Sequence, residues 1–197
     1  MLVLSVDPGL SGAIAFLGDG WARVFDLPTV PIEGDGTIRR RVHGPALQQL
    51  VLANIPEGED DIRFVIEGLS AGGFRARPGE KQGSSAQSIG SQFRTRGTIE
   101  CLAECLGLEV NVVYAISWKR LYGLVGKQNE GGENEAAKAR RIATELFPEL
   151  APDLRRVMDH NRAEAVLIGN WYRKVKANPQ PPKPTKKRTQ QTLLETA

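Results

Sequence analysis

The sequence has few cysteines, few aromatic residues and no long apolar run. Aromatic residues make up 6% of the 197 residues, and the two cysteines, Cys101 and Cys105, form a single CxxxC pair without further Cys or His nearby. A disulfide-dense small protein is therefore excluded, and the pair makes a poor zinc site. Four residues apart in a helical stretch, both cysteines are expected to face one way and pack as small hydrophobic side chains.

Membrane and export signals are also missing from the sequence. No apolar run approaches the roughly 20 residues that a membrane-spanning helix needs. The N-terminal MLVLSVDPG carries neither a basic region nor a small-residue cleavage site. These features predict a cytoplasmic protein.

The composition is that of one ordinary globular domain, with 41% hydrophobic and 25% charged residues. The net charge of +3 is unevenly distributed, because residues 173–197 hold seven Lys or Arg and one Glu, whereas residues 1–172 hold 19 Lys or Arg and 22 Asp or Glu. We therefore expect a folded domain over residues 1–172 and a basic, proline-rich, disordered tail over residues 173–197. Such a tail serves either as a solubilising appendage or as a non-specific phosphate-binding arm.

The hydrophobic pattern predicts short strands alternating with helices. The predicted strands cover residues 2–6, 13–16, 21–25, 62–66 and 110–114. Helical spacing predicts helices over residues 45–54, 85–105, 135–146 and about 159–175, with a further short helix capped by Ser117. Residues 28–44 are expected to be irregular, and the glycine-rich residues 68–84 are expected to form a mobile loop.

Two acidic residues stand where predicted strands end. Asp7 follows the first strand and precedes Pro-Gly, and Glu67 follows the strand at residues 62–66. Strand ends are often marked by a polar residue, so either one alone is unremarkable. If the two strands are neighbours, both carboxylates lie at one edge of the sheet, where like charges need a cation to compensate them.

A third acidic residue lies in the predicted last helix, within the segment DHNRAEAVLIG. Glu164 precedes an apolar run, and His160 and Asn161 share its helix face at i−4 and i−3. Asp159 lies five residues before Glu164 and points partly elsewhere unless the helix begins there. His160 taken alone also fits a capping or surface histidine.

Four sequence blocks in this order resemble RuvC-type Holliday-junction resolvases, especially the compact bacteriophage versions. The blocks are LSVDPGLSGAIAF, VIEG, SIGSQFRTRGTIECLAECLGLEV followed by VVYAISWKRLYGL, and HNRAEAVLIG, which together cover most of residues 1–172. The resemblance implies a ribonuclease-H-like α/β fold, a five-stranded mixed sheet with helices on both faces and its first three strands antiparallel. It also implies a homodimer that cuts four-way DNA junctions with Mg²⁺ or Mn²⁺.

The resemblance assigns roles to individual acidic residues. Asp7 matches the aspartate of the first strand, Glu67 the glutamate after the fourth strand, and Glu164 the carboxylate of the last helix. Phosphodiester hydrolysis needs an activated water and a stabilised leaving oxygen, which two divalent ions about 4 Å apart supply together. In this hypothesis Asp7 bridges both ions, Glu67 and Glu164 each hold one, and His160 completes one shell or relays a proton.

The fourth ligand is where the sequence departs from the family. Members usually place an Asp, sometimes a His, three or four residues before the last carboxylate, and this chain has Asn161 and His160 there. Either His160 is the ligand, or a shifted helix start brings in Asp159, or Asn161 replaces an Asp and activity is impaired. We favour His160 with Asp159 assisting.

An acidic domain needs local positive charge in order to bind DNA. The glycine-rich stretch and the helix after it supply such side chains close in sequence to Glu67, and Phe74 either stacks on unpaired bases or folds back onto the core. Trp118 is predicted to be a core residue. The candidate DNA-binding residues are Phe74, Arg75, Arg77, Lys81, Arg94, Arg96 and Lys119.

Two other functions stay open from the sequence. Asp-Pro-Gly after a first strand also resembles the phosphate-binding start of sugar-kinase and actin-like ATPases, but these need a second lobe, and the sequence has no GxxxxGK[S/T] loop. The other alternative is a junction-binding protein without nuclease activity, which Asn161 keeps open.

Overall fold

The structure, a computed structural model, describes residues 1–32, 39–69, 86–125 and 133–177. Its strands are β1 (Leu2–Asp7), β2 (Ala13–Gly18), β3 (Trp21–Asp26), β4 (Thr29–Ile32), β5 (Arg39–Val42), β6 (Ile62–Gly68) and β7 (Val110–Tyr114). Its α-helices are α1 (Gly44–Asn54), α2 (Ala86–Cys105), α3 (Ala115–Leu121), α4 (Glu135–Leu146) and α5 (His160–Ala177). Two 3-10 helices, Pro148–Asp153 and Val157–Asp159, connect α4 to α5. None of the helices in these ranges has the length and apolarity needed to cross a membrane.

Five strands form one mixed sheet in the order β3-β2-β1-β6-β7. The strands β1, β2 and β3 pair with one another in antiparallel fashion, whereas β1 pairs with β6 and β6 with β7 in parallel. This confirms the five-stranded mixed sheet that the sequence resemblance implies. Parallel pairing brings the carboxyl ends of β1, β6 and β7 to the same edge of the sheet, next to the start of α3.

The sheet separates two hydrophobic layers, and the alternation of side chains along each strand decides which layer a residue enters. Val3, on β1, packs with α3, α4 and α5, and its neighbours Leu2 and Leu4 pack on the opposite face with α1 and α2. We call these the α5 face and the α2 face. Helices therefore cover both faces of the sheet, as expected.

Helix α5 lies unusually close to β1. A Cβ atom at Gly169 would overlap Oγ of Ser5 and would lie 2.7 Å from Cδ1 of Leu17, so only glycine allows this approach. Ser5 is fully buried, and its hydroxyl donates a hydrogen bond of 2.7 Å to the carbonyl of Ala165. Since a buried hydroxyl needs such a partner, the contact fixes where α5 lies along β1.

Residues 28–44, expected to be irregular, instead contain the hairpin of β4 and β5, which pairs separately from the main sheet. The expectation failed because three successive arginines and Pro31 hide the alternation that marks a strand. Arg40, on β5, links the two strands by donating hydrogen bonds of 2.8 and 3.0 Å to the hydroxyl and carbonyl of Thr29, on β4.

Two local predictions on helices were also wrong. Cys101 and Cys105 do lie on one side of α2, but both are exposed, because the buried side of this helix carries Ile99 and Ala103 instead. Helix α3 begins at Ala115 rather than after Ser117, since β7 leads into it directly. Residues 173–177 of the predicted tail belong to α5, and the rest of the tail lies outside the described residues, as does the glycine-rich segment from residue 70 onward.

Candidate active site

Asp7 and Glu67 meet at the carboxyl edge of the sheet. They are the last and the next-to-last residues of the adjacent parallel strands β1 and β6, whose pairing reaches Val6 opposite Ile66. Alternation along the strands places both carboxylates on the α5 face, the side on which Val65 enters the core. The sheet topology therefore brings together two acidic residues that are 60 positions apart in the sequence.

Helix α5 adds Glu164 to this pair, and the three carboxylates repel one another. Burial, together with the negative charges of Glu67 and Glu164, raises the pKa of Asp7 to about 8. Burial and the charge of Glu164 likewise raise the pKa of Glu67. Burial also raises the pKa of Glu164, against the opposing charge of Lys119. We call Asp7, Glu67 and Glu164 the acidic triad.

The members of the acidic triad differ in their partners. Oε1 of Glu67 accepts a hydrogen bond of 3.2 Å from Nε1 of Trp118, and Oε2 of Glu164 lies 3.5 Å from Nζ of Lys119. Among the described residues, none donates a hydrogen bond to the Asp7 carboxylate or forms an ion pair with it. The carboxylate whose pKa is raised to about 8 is therefore the one without a hydrogen-bond or ion-pair partner among the described residues.

Lys119 lies at the border of the acidic triad. Its ammonium group is 2.6 Å from Oε1 of Glu135, at the start of α4, and the ion pair with Glu164 holds it on the other side. Sequence reasoning assigned Lys119 to DNA binding, whereas the structure places it among carboxylates. A cavity of about 500 Å³ opens beside it, lined by Tyr114, Ala115, Ile116, Lys119, Leu124, Val125 and Glu135.

Of the three fourth-ligand candidates, only His160 contributes to the electrostatics of Glu164. Its positive charge, when present, lowers the pKa of Glu164. Nδ1 lies 3.3 Å from the carbonyl of Val157, so this nitrogen donates and Nε2 is left as the acceptor. A ring held in this way by a backbone carbonyl is the usual arrangement of a metal-binding histidine.

Asp159 and Asn161 have other partners. Asp159 is buried, and its carboxylate accepts hydrogen bonds of 2.7 to 2.9 Å from the backbone N–H and the guanidinium group of Arg156. Although burial acts in the other direction, these hydrogen bonds lower the pKa of Asp159. Asn161 donates hydrogen bonds of 2.6 and 3.1 Å to the carbonyl and hydroxyl of Ser11. The structure does not bring either residue into the acidic triad.

The predicted DNA-binding residues are only partly described. Arg94 is exposed on α2, and Arg96 is bound to Glu100 one turn away, with nitrogen to oxygen distances of 2.7 and 2.8 Å. The ring of Phe93, directly before Arg94 in the sequence, is exposed. The predictions for Phe74, Arg75, Arg77 and Lys81 lie outside the described residues.

The donor set of the acidic triad suits a divalent cation. Carboxylate oxygens are the ligands that Mg²⁺ and Mn²⁺ prefer, and the mutual repulsion around the unpartnered Asp7 is what a cation would relieve. Within the described ranges, however, no three or more Asp, Glu, His or Cys side chains form a group that could hold a metal ion as they stand. The residues fit a metal in chemistry, and their side chains need to reorient in order to hold it.

Sequence reasoning missed two side chains that border the acidic triad. Trp118 was assigned only to the core, and Glu135 was seen only as the first residue of a helix, although they contact Glu67 and Lys119. Both contacts join different elements, so no local pattern marks them. The one available signal is that Trp118 directly precedes Lys119 in the block SWKR.

In sequence, the chain matches no protein-family model and no curated protein. In structure, it is similar to Thermus thermophilus RuvC in complex with a Holliday junction substrate, with 12% identity and a TM-score of 0.54 over 89% of this chain and 96% of that one. A further Thermus thermophilus RuvC structure matches with 15% identity and a TM-score of 0.47 over 89% and 97% of the two chains. The fold of this chain is thus the ribonuclease-H-like fold of RuvC, which confirms at the level of fold the resemblance found in the sequence.

Proposed function

We propose that the protein is a metal-dependent, structure-specific endonuclease that resolves four-way DNA junctions by phosphodiester hydrolysis, acting as a homodimer. The observation that carries the proposal is the acidic triad, three partly buried and mutually repelling carboxylates at one edge of a RuvC-like sheet. The junction-bound state of the structurally similar RuvC supports branched DNA as the substrate class.

In this proposal Asp7, Glu67, Glu164 and Nε2 of His160 hold the cations. When bound, two divalent ions lower the pKa of a water and stabilise the leaving oxygen. Glu67 and Glu164 both raise the pKa of Asp7, so its carboxylate interacts with each of them. This suits Asp7 to contact both ions. Asp159 has no part in this arrangement because Arg156 already binds its carboxylate.

Basic side chains near the acidic triad are candidates for contact with DNA phosphates. Lys119 offers an ammonium group to a DNA phosphate at the border of the triad, where Glu135 holds it in place. Arg94 is a second candidate for phosphate contact, since it is exposed on α2. Phosphate contacts of this kind make binding salt-dependent without reading the base sequence.

The test is cleavage of a synthetic four-way junction with and without Mg²⁺ or Mn²⁺. The wild type should cut the junction only with the metal and should cut a linear duplex of the same sequence far more slowly. Asp7→Asn should remove cutting and keep junction binding. Asp19→Asn is the matched control, because Asp19 is 76% exposed and pairs with Arg173 away from the triad. Cutting that survives in Asp7→Asn would disprove the proposal.

A second candidate function is junction binding without cleavage. Two observations favour it: Lys119 already compensates Glu164, and Asn161 stands at a position where the family usually has an acidic ligand. The same experiment decides between the two, because a binding protein would retain the junction without cutting it in any divalent metal. ATP hydrolysis by the wild type would instead support the ATPase alternative.

A further inference from the structure

Trp118 connects the hydrophobic core to the acidic triad. Its side chain is fully buried in the core of the α5 face, in the same cluster as Val113, Leu124 and Ala163. The polar edge of its indole leaves this cluster and donates a hydrogen bond of 3.2 Å from Nε1 to Oε1 of Glu67. The ring cannot move without disturbing its packing, so the position of the donor is fixed.

The choice of acceptor for this indole matters. A buried indole N–H needs a hydrogen-bond partner, and a backbone carbonyl would satisfy it as well. Here the partner is a carboxylate that is repelled by Glu164. No other hydrogen bond to the Glu67 side chain is formed among the described residues, so the indole alone holds one oxygen in place and leaves Oε2 for another ligand.

Trp118 also contacts the cation at the border of the triad. Nζ of Lys119 lies 5.1 Å from the centre of the indole ring, within the range of a cation–π interaction. The same rigid side chain therefore holds a carboxylate with its edge and an ammonium group with its face. Residues that lock functional side chains in this way reduce the entropy lost when a ligand binds.

We propose that Trp118 is a positioning residue for metal binding, which fixes Glu67 through the indole N–H so that Oε2 faces the cation. The inference rests on the proposed metal-dependent function and adds to it a residue outside the ligand set. It assigns to Trp118 a role that its burial alone does not require, because a phenylalanine ring would fill much of the same space.

Calorimetric titration with Mn²⁺ tests this role directly. Trp118→Phe removes the N–H and keeps an aromatic ring, and Trp171→Phe is the matched control, since Trp171 is partly buried against the same core cluster and lies outside the triad. Trp118→Phe should weaken Mn²⁺ affinity about 10- to 100-fold, the usual effect of losing a partner of a metal ligand. Trp171→Phe should bind Mn²⁺ as the wild type does. Equal affinities in Trp118→Phe and the wild type would overturn the inference.

A double variant separates positioning from a general loss of packing. If Trp118 acts through Glu67, then Trp118→Phe in a Glu67→Gln background should cause no further loss of Mn²⁺ affinity. A packing defect would weaken binding by the same factor in both backgrounds, and that result would also overturn the inference.

A measurement that leaves Trp118 intact covers the case in which Trp118→Phe does not fold. The chain has three tryptophans, so Trp21→Phe combined with Trp171→Phe leaves Trp118 as the only one. Bound Tb³⁺ should show luminescence sensitised by Trp118 in this variant, and adding Glu67→Gln should remove it. Tb³⁺ that binds without sensitised emission would contradict the inference.

The two proposals fail in different ways. A wild type that binds neither Mn²⁺ nor Tb³⁺ would disprove the metal-dependent function itself. A wild type that binds Mn²⁺ and cuts junctions, with Trp118→Phe equal to it in Mn²⁺ affinity, would disprove only the positioning role.

Discussion

The start of α5 brings two kinds of carboxylate within five residues of each other. Glu164 belongs to the acidic triad, in which burial and neighbouring negative charges raise every pKa. Asp159 is also buried, yet its pKa is lowered, because Arg156 donates three hydrogen bonds to its carboxylate. Both sites contain a carboxylate, but its pKa is raised at one site and lowered at the other.

This difference is the one expected between a carboxylate that stabilises the fold and one that serves a functional site. At Asp159 the negative charge is stabilised by partners that the fold itself supplies, and the result is a well-capped helix start. In the acidic triad the fold supplies one partner each to Glu67 and Glu164 and none to Asp7, which leaves a carboxylate that a bound cation would compensate. Four experiments can break or sharpen the contrast.

The largest expected effect is on cleavage of a four-way junction. Glu164→Gln should lower the cutting rate at least about 1,000-fold, since it removes a ligand whose cation stabilises several kcal/mol of transition-state charge. Asp159→Asn should keep cutting at a rate near that of the wild type. The contrast would break if Asp159→Asn lost as much activity as Glu164→Gln while its melting temperature stayed at the wild-type value.

The second effect is on metal affinity and settles the fourth ligand. His160→Ala should weaken Mg²⁺ binding about 10-fold or more in a calorimetric titration, because Nε2 of His160 is free to bind and its ring is already oriented by Val157. Asp159→Ala should bind Mg²⁺ as the wild type does. A titration left unchanged by His160→Ala would remove His160 from the ligand set, and weaker binding by Asp159→Ala would return Asp159 to it.

The third effect is on the pH dependence of stability without metal. The pKa of Asp7 is about 8 in the folded protein and near 3.8 when unfolded, so between these values the folded state holds the extra proton and stability falls as pH rises. Burial is the main cause of this shift; the charges of Glu67 and Glu164 add to it, and the charge of Lys119 opposes it. Melting temperatures measured in EDTA should therefore decrease from pH 4 to pH 8, and Asp7→Asn should flatten that decrease.

Asp159 should show the opposite dependence. Its pKa is lowered in the folded state, so its contribution is present above its unfolded pKa and is lost as the pH falls through the folded value. A wild-type melting temperature that rises steadily from pH 4 to pH 8 in EDTA would count against the assignment of the two carboxylates to opposite classes.

The smallest effect is on stability at neutral pH. Asp159→Asn should cost about 1 kcal/mol of unfolding free energy, the usual loss when a helix-start cap is weakened. In urea unfolding this lowers the midpoint without changing the slope. Asp61→Asn serves as the control, since Asp61 is half-exposed and pairs with the exposed Arg63. A midpoint for Asp159→Asn equal to that of the control would show that the Arg156 contacts contribute little.

The acidic triad could be predicted from the sequence because each member has a local signal. Asp7 and Glu67 follow apolar strands, and Glu164 interrupts the apolar side of a helix. The five strands of the main sheet were predictable for the same reason, since each is a short apolar run with a turn signal beside it. The mixed sheet with its first three strands antiparallel came from the family resemblance. Periodicity carries no information on which strands pair, so the pairing of β1 with β6 stayed open until the structure showed it.

Features that depend on tertiary contacts could not be predicted. The indole of Trp118 meets Glu67 only after β6 and α3 are in place. Asp159 and Arg156 are only three residues apart, but their contact depends on the 3-10 turn before α5, which the helical pattern does not indicate. The β4–β5 hairpin was missed because its strands lack apolar alternation. The arginines of β5 pair with residues of β4. A sequence window of a few residues does not contain both partners.

The bond between Ser5 and Ala165 joins residues 160 positions apart. The triad is therefore complete only after α5 has docked, because β1 and β6 alone carry two of its three carboxylates. Closing so long a loop makes this docking a non-local and entropically costly step. A metal that binds only the docked state stabilises it by mass action. Metal binding would therefore be coupled to the last step of folding. A chain with α5 undocked would neither retain the metal nor cut DNA.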